Sequence, residues 1–298
     1  MALSGEQWTI SYSGWEAVIA SVGGGVRLFS YEGKPYIDGY DDDEIAVGSA
    51  GHILAPWPGR IDSGEYEFGG VTHRVPWNEP ATRTAMHGLV GWLTWTAVDV
   101  SESAVSLECS LPAQPGYPFP LQLRVRWSVG PGGLRASHYV SNIGATPCPF
   151  GLGVHPYVKL PGSTLGQWKL TVPAKTELTV DDRNLPTGTT KARFTEPTLL
   201  GETVLDTSFG DLERGSDGNA AVVLTAEDDS EEVTVWADSS FGWFHVYTSD
   251  TLDGDRRRRS VAVEPMSCPP NAMRTGTDLV TLAPGELWSG IWGIKPRK

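Results

Sequence analysis

The sequence predicts an all-β protein, a large antiparallel β-sandwich with few short helices. Three observations lead there. Thirty-five glycines and 22 prolines interrupt a chain of 298 residues so often that helices are cut short. Apolar residues recur with a period near two in many short runs. No segment holds an i, i+3, i+4, i+7 apolar stripe over three turns. About fifteen short strands cannot lie in one open twisted sheet without curling or splitting, so two packed sheets with functional loops at one end are expected.

The elements follow in order. Residues 26–31 (VRLFSY) read as a strand, followed by a turn at Gly33 and a short run over 35–37. Residues 66–68 and 71–75 flank Gly69-Gly70, a pair that permits the positive φ of a two-residue hairpin turn. Three strands are expected over 92–100, 104–111 and 121–129. In the last of these Leu121, Leu123, Val125 and Trp127 share one face, while Gln122, Arg124 and Arg126 share the other. Gly130-Pro131-Gly132-Gly133 turns the chain into a strand over 134–143. Further strands are expected over 168–172, 177–180, 221–226, 233–237, 243–248, 261–264, 279–282 and 287–294. Without a low-complexity linker or repeat, residues 1–298 are expected to form a single domain.

Composition narrows the function. With 23 Lys+Arg against 36 Asp+Glu the net charge is −13, a surface that repels phosphate backbones and anionic lipid, so neither nucleic acid nor membrane is expected as a partner. The first twenty residues lack a basic, then apolar, leader, and no window approaches the ~18 apolar residues of a membrane span. Cys109, Cys148 and Cys268 are odd in number and far apart, which suits a reducing compartment. A cytoplasmic protein, monomer or homodimer, is expected.

Four stretches depart from strand-and-turn text: LAPWPGRI (54–61), MHGLVGW (86–92), GLGVHPYVKL (151–160) and VAVEPMSCPPNA (261–272). Each sets an ionisable residue beside Gly or Pro, where sterics fix the backbone. No His-x-His, His-Glu-x-x-His or Cys-x-x-Cys occurs, and Gly23-Gly24-Gly25 has no following Lys-Ser/Thr, so neither a metal, a cofactor nor a phosphate loop is expected.

In order, the chain carries Pro56-x-x-x-Arg60-Ile61 followed by a Gly-rich hairpin, His87-Gly88, His155-Pro156-Tyr157, Asp206-x-x-Phe209, and Glu264 followed by Pro270-x-Ala272. With these elements in register the chain resembles the aldose 1-epimerase (galactose mutarotase-like) family over nearly its whole length. The resemblance implies a mutarotase-like supersandwich and a cofactor-independent isomerase that interconverts the α- and β-anomers of a hexose. It implies Glu264 as general base, His155 as general acid, and Arg60, His87 and Asp206 as holders of sugar hydroxyls. Two positions depart from the family pattern: Gly59 stands where Asn usually precedes the Arg, and Val158 where an aromatic often follows His-Pro-Tyr. Both bear on which sugar is taken more than on the chemistry.

Opening a pyranose ring requires a base at the C1 hydroxyl and an acid at the ring oxygen, on opposite sides of the C1–O5 bond. One carboxylate and one imidazole meet that need, with His155 expected to hand over a proton near neutrality. Trp57, Trp77 and Trp92 lie in or beside the motif loops, where an indole face could stack on a sugar. His52, His73, His138 and His245 are expected to be structural or surface residues. The run Arg256 to Arg259 reads first as a solvated, charge-balanced loop. Its closeness to Glu264 also allows a second reading, an epimerase for a sugar bearing phosphate or sulfonate, which the guanidinium fork would suit. A third reading is a carbohydrate-binding or regulatory protein without turnover, against which the paired acid and base argue.

Overall fold

The computed structural model describes residues 2–297 and is built almost wholly of strands. Two large sheets dominate. The first has nine strands, in the order 96–101, 104–111, 121–130, 133–142, 287–296, 232–237, 220–226, 168–171 and 198–199. The second has eight: 186–191, 174–180, 206–212, 243–247, 261–266, 153–154 and 53–54 along its path, with 157–158 paired to 261–266 beside it. The neighbouring strands of both pair antiparallel. A four-stranded meander over residues 7–35 packs beside the first sheet. Among the described residues, helix is confined to one turn of α-helix, Ala272–Thr275, and three short 3-10 turns. No helix among the described residues is long and apolar enough to cross a membrane.

Period-two patterning explains the layering. Leu121, Leu123, Val125, Trp127 and Val129 are all buried while their alternates reach outward. One continuous buried cluster joins Val222, Leu224 and Val235 of the nine-stranded sheet to Phe244, Val246, Val261 and Val263 of the eight-stranded sheet. The opposite face of those last two strands carries His245, Tyr247, Ala262 and Glu264. It packs in part on a second, smaller cluster that includes Tyr40, Ala46, Ala50 and Tyr157. The chemistry therefore lies on the face of the eight-stranded sheet that the sandwich core does not use.

Many expected strands occur where the alternation placed them. Residues 26–31 and 104–111 match at both ends, and the hairpin of Glu65–Phe68 with Val71–Arg74 turns at Gly69-Gly70 as expected. The strand expected over 92–100 begins only at Thr96, because 91–94 form a turn against Val22 and Gly23. The paired strands Gln7–Tyr12 and Trp15–Ala20 had not been expected. Ala17, Val18, Ile19 and Ala20 are apolar in succession, a pattern without period-two alternation. The three cysteines are free and buried.

Candidate active site

Glu264 sits within the strand Val261–Met266 and is 2% exposed. His155 is brought opposite it by a break in pairing. Gly153 pairs with Met266, Tyr157 with Ala262 and Val158 with Val261, so Gly153–Val154 and Tyr157–Val158 both run along the same partner strand. Pro156 has no N–H to continue the ladder, and its carbonyl accepts from Val263 N–H at 3.2 Å. His155 projects from the gap, with Nε2 3.3 Å from Glu264 Oε1 and its ring stacked on Tyr157.

Arg60 opens the short strand Arg60–Asp62, which pairs with Thr84–Met86. The Pro-x-Ala segment holds it there: Asn271 N–H donates to Arg60 C=O at 2.6 Å and Asn271 Oδ1 accepts from Asp62 N–H at 3.0 Å. Pro270 explains the glycine that replaces the expected Asn at position 59. Gly59 has φ +65°, and a Cβ there would approach Pro270 to 2.9 Å. The Arg60 guanidinium forms a two-pronged salt bridge with Glu79 at 2.7 and 2.9 Å. Hydroxyls of Thr82 and Thr84 also donate to Glu79. Although burial opposes ionisation, these bonds hold the Glu79 carboxyl down to about 2.

His87 lies in the left-handed region at φ 64° and is followed by Gly88 at φ 74°, where a Cβ would strike the Ala55 carbonyl at 2.1 Å. That close approach accounts for the His-Gly pair. Asp206 opens the strand Asp206–Leu212. Its Oδ1 faces His245 Nε2 at 2.8 Å, and its Oδ2 accepts from Asn184 at 3.0 Å.

These groups line one cavity of about 180 Å³, walled by Arg60, His87, His155, Asp206, His245 and Glu264, with Glu79, Tyr157, Tyr247, Thr251 and Leu252 also contributing. The environment splits the two central groups. Burial pushes Glu264 up to about 7, reinforced by the Asp206 charge and opposed by His245 and Arg60. Burial, with the nearby His245 charge, pushes His155 down to about 3. The ring is therefore neutral near pH 7, in contrast to the expectation of an imidazole titrating near neutrality. Its Nε2 faces the Glu264 carboxylate and its Nδ1 has no hydrogen-bond partner, so the network assigns the proton to Nε2.

His87, His155 and Glu264 have candidate ligand atoms within 4.8 Å of one another, close enough to hold an ion. Their hydrogen bonding does not suit one. Gly59 N–H donates to His87 Nδ1 at 3.3 Å, which puts that ring's proton on Nε2 and makes it a donor toward the cavity.

The structure corrects two sequence expectations, the sugar-facing tryptophans and His245, and finds the cationic run balanced by neighbouring acids, in line with its first reading. Trp57 does not face the cavity: its indole is 2% exposed in the main core and donates to Ala85 C=O. Trp77 and Trp92 are exposed but do not line this cavity either. The cationic run does not reach the site. Arg256 bonds Glu44 and Gly39 C=O, Arg258 bonds Asp250, Thr203 C=O and Gly201 C=O, Arg259 bonds Asp38 and Asp255, and Arg257 faces outward. His245, expected to be structural or at the surface, lies in the cavity wall beside Glu264. Its signal in the sequence is a single polar residue between the core residues Phe244 and Val246. Glu79, too, had no motif to mark it.

The family model for aldose 1-epimerase matches residues 6–295. The chain belongs to the aldose 1-epimerase family. It is 30% identical over 302 residues to the uncharacterized protein YihR of Escherichia coli K12, across 98% of this chain and 95% of that protein. Among solved structures it resembles a GalM/aldose epimerase homologue from C. elegans, with TM-score 0.86 and 20% identity over 98% of both chains. It also resembles a galactose mutarotase-like protein from Clostridium acetobutylicum, with TM-score 0.85 and 18% identity over 97% and 94% of the two chains. The aldose epimerase family carries isomerase-type chemistry on sugars, and the antiparallel sandwich described above is the galactose mutarotase-like fold.

Proposed function

We propose that this protein is an aldose 1-epimerase acting on a hexose, with Glu264 as the base, His155 as the acid, and Arg60, His87 and Asp206 holding sugar hydroxyls. The observation that carries the reading is the buried carboxylate–imidazole pair, 3.3 Å apart in the wall of a cavity of about 180 Å³. A sugar bound there meets a carboxylate poised near neutrality and an N–H donor.

The Glu264 carboxylate takes the proton from the C1 hydroxyl and the C1–O5 bond breaks. The ring oxygen, as it becomes alkoxide-like, receives the Nε2 proton of His155. A neutral imidazole is a suitable donor to so basic an oxygen. The aldehyde turns about C1–C2 and the ring closes on its other face, Glu264 giving its proton to the C1 oxygen while the O5 hydroxyl returns its proton to His155. Each proton has a protein partner, so the reading invokes no cofactor, and the chain works as a single domain. The cavity wall carries Arg60 and His245 against Glu79, Asp206 and Glu264, with no excess of cations to favour an anionic sugar.

The test is anomer-exchange NMR on glucose and galactose, corrected for spontaneous mutarotation. Wild-type protein accelerates exchange, and Glu264→Gln lowers kcat by about 10²- to 10⁴-fold, as expected for loss of a general base. Wild-type exchange no faster than the blank on every hexose would overturn the reading.

A further inference from the structure

His245 is an ionisable group in the cavity wall, directly beside Glu264, that the reaction as written does not use. It lies mid-strand in Trp243–Tyr247, paired in register with Glu264 on one side and Ser208 on the other. Directly paired residues on one face of a sheet bring their side chains together, so His245 and Glu264 are neighbours by construction. The ring is held at both nitrogens, Nδ1 2.8 Å from Ser208 Oγ and Nε2 2.8 Å from Asp206 Oδ1. A ring pinned at both ends can neither flip nor leave the wall, and a protonated ring can donate to both partners.

We infer that His245 is a positioning residue of this site: a fixed imidazolium that orients Asp206 toward substrate and holds Glu264 in its carboxylate form. The inference rests on the proposed function for the role it gives Glu264. The titratable and charged groups facing His245 are Asp206 on one adjoining strand, Glu264 on the other, Tyr247 on its own strand, and Arg60, His87 and His155 across the cavity. Burial disfavours the charged ring, but the charge of Glu264 and the hydrogen bond to Asp206 more than offset it and raise its affinity for a proton. The same charge opposes the neutralisation of Glu264 by burial. Arg60 acts on Glu264 in the same direction but less than His245, since both prongs of its guanidinium are committed to Glu79.

The sign follows from linkage. Without a cation beside it Glu264 binds its proton more tightly, so the carboxylate form needs a higher pH. A neighbouring opposite charge moves a carboxylate by about one to three pH units. In His245→Gln the acid-side midpoint of the kcat/KM profile therefore moves up by about one unit or more, and activity lost at pH 7 returns at pH 9. A purely structural role lowers activity equally at every pH. The second measurement does not depend on turnover. His245 is titrated by ¹H–¹⁵N NMR in wild-type protein and in Glu264→Gln, where loss of the carboxylate lowers the imidazole midpoint. An unshifted profile in His245→Gln, or an unchanged His245 midpoint in Glu264→Gln, overturns the inference. Wild-type protein without mutarotase activity overturns the proposed function instead, and the imidazole titration still decides the coupling.

Discussion

Glu264 and His155 are driven to neutrality by the same cause, burial, with opposite consequences for their roles. A carboxyl raised to about 7 becomes a base strong enough to matter and still ionised near neutral pH. An imidazole lowered to about 3 keeps one N–H and no charge. The proposed chemistry needs Glu264 ionised and His155 neutral, so kcat/KM rises with pH through about 7 and then levels. A profile that falls again just above pH 7 would mean that an imidazolium is the acid. Trp57 makes a separate prediction. Its indole is core, so Trp57→Ala loses about 3–5 kcal/mol of stability, read by denaturant unfolding. Were it instead a sugar platform, KM would rise with stability intact.

Between Tyr247 and Ser260 the chain leaves the sheet and returns, and Thr251 and Leu252 from this excursion line the cavity. The arginine run is what fastens it. Arg256 ties it to Gly39 and Glu44, Arg258 to Gly201 and Thr203, and Arg259 to the buried Asp38. Most of these bonds end on backbone carbonyls or part-buried carboxylates, where they hold better than exposed surface pairs. Arg258→Ala, which frees two carbonyls and Asp250, is expected to raise KM several-fold while leaving the acid-side midpoint of the pH profile in place. A changed midpoint with unchanged KM would show that the run acts on Glu264 and not on the loop.

Across the whole molecule, buried histidines make folding stability depend on pH. Burial pushes His52 down to about 4 and both His138 and His155 down to about 3. Each takes up a proton in the unfolded chain below about 6.5 that it does not bind when folded. The contribution of these three rings is therefore full above pH 6.5 and is lost as pH falls from there toward 4, while Glu264, raised to about 7, contributes with the opposite sign between about 4.5 and 7. The loss is about 1.4 kcal/mol per pH unit for each histidine fully within that window. His138 Nε2 accepts the Trp292 indole N–H at 2.9 Å, a bond that protonation removes. Urea unfolding at pH 7 and pH 5 measures the slope, and His138→Gln, which keeps an acceptor, makes it shallower. A slope unchanged by that substitution would show that His138 does not contribute.

Local rules make much of the molecule legible from the chain alone. Alternation places Leu121, Leu123, Val125 and Trp127 on a buried face, because side chains of a strand point to opposite sides whatever the topology. Gly69-Gly70 marks its hairpin for a similar reason, since a tight turn needs positive φ. The resemblance to the family marks Arg60, His87, His155, Asp206 and Glu264, and the fold gathers all five around one cavity. Only the tertiary structure decides what those groups do to one another. His245 becomes a neighbour of Glu264 through strand register, and Glu79 meets Arg60 across a loop, at separations along the chain that no local pattern reports. Trp57 and the four arginines show the converse: both lie beside the motifs in sequence, yet backbone direction carries the indole into the core and the guanidiniums to the loop's own anchors. Proximity along the chain falls within reach of sterics and periodicity. Proximity in space, and with it the proton affinity of every buried group, depends on which sheets pack and in what register.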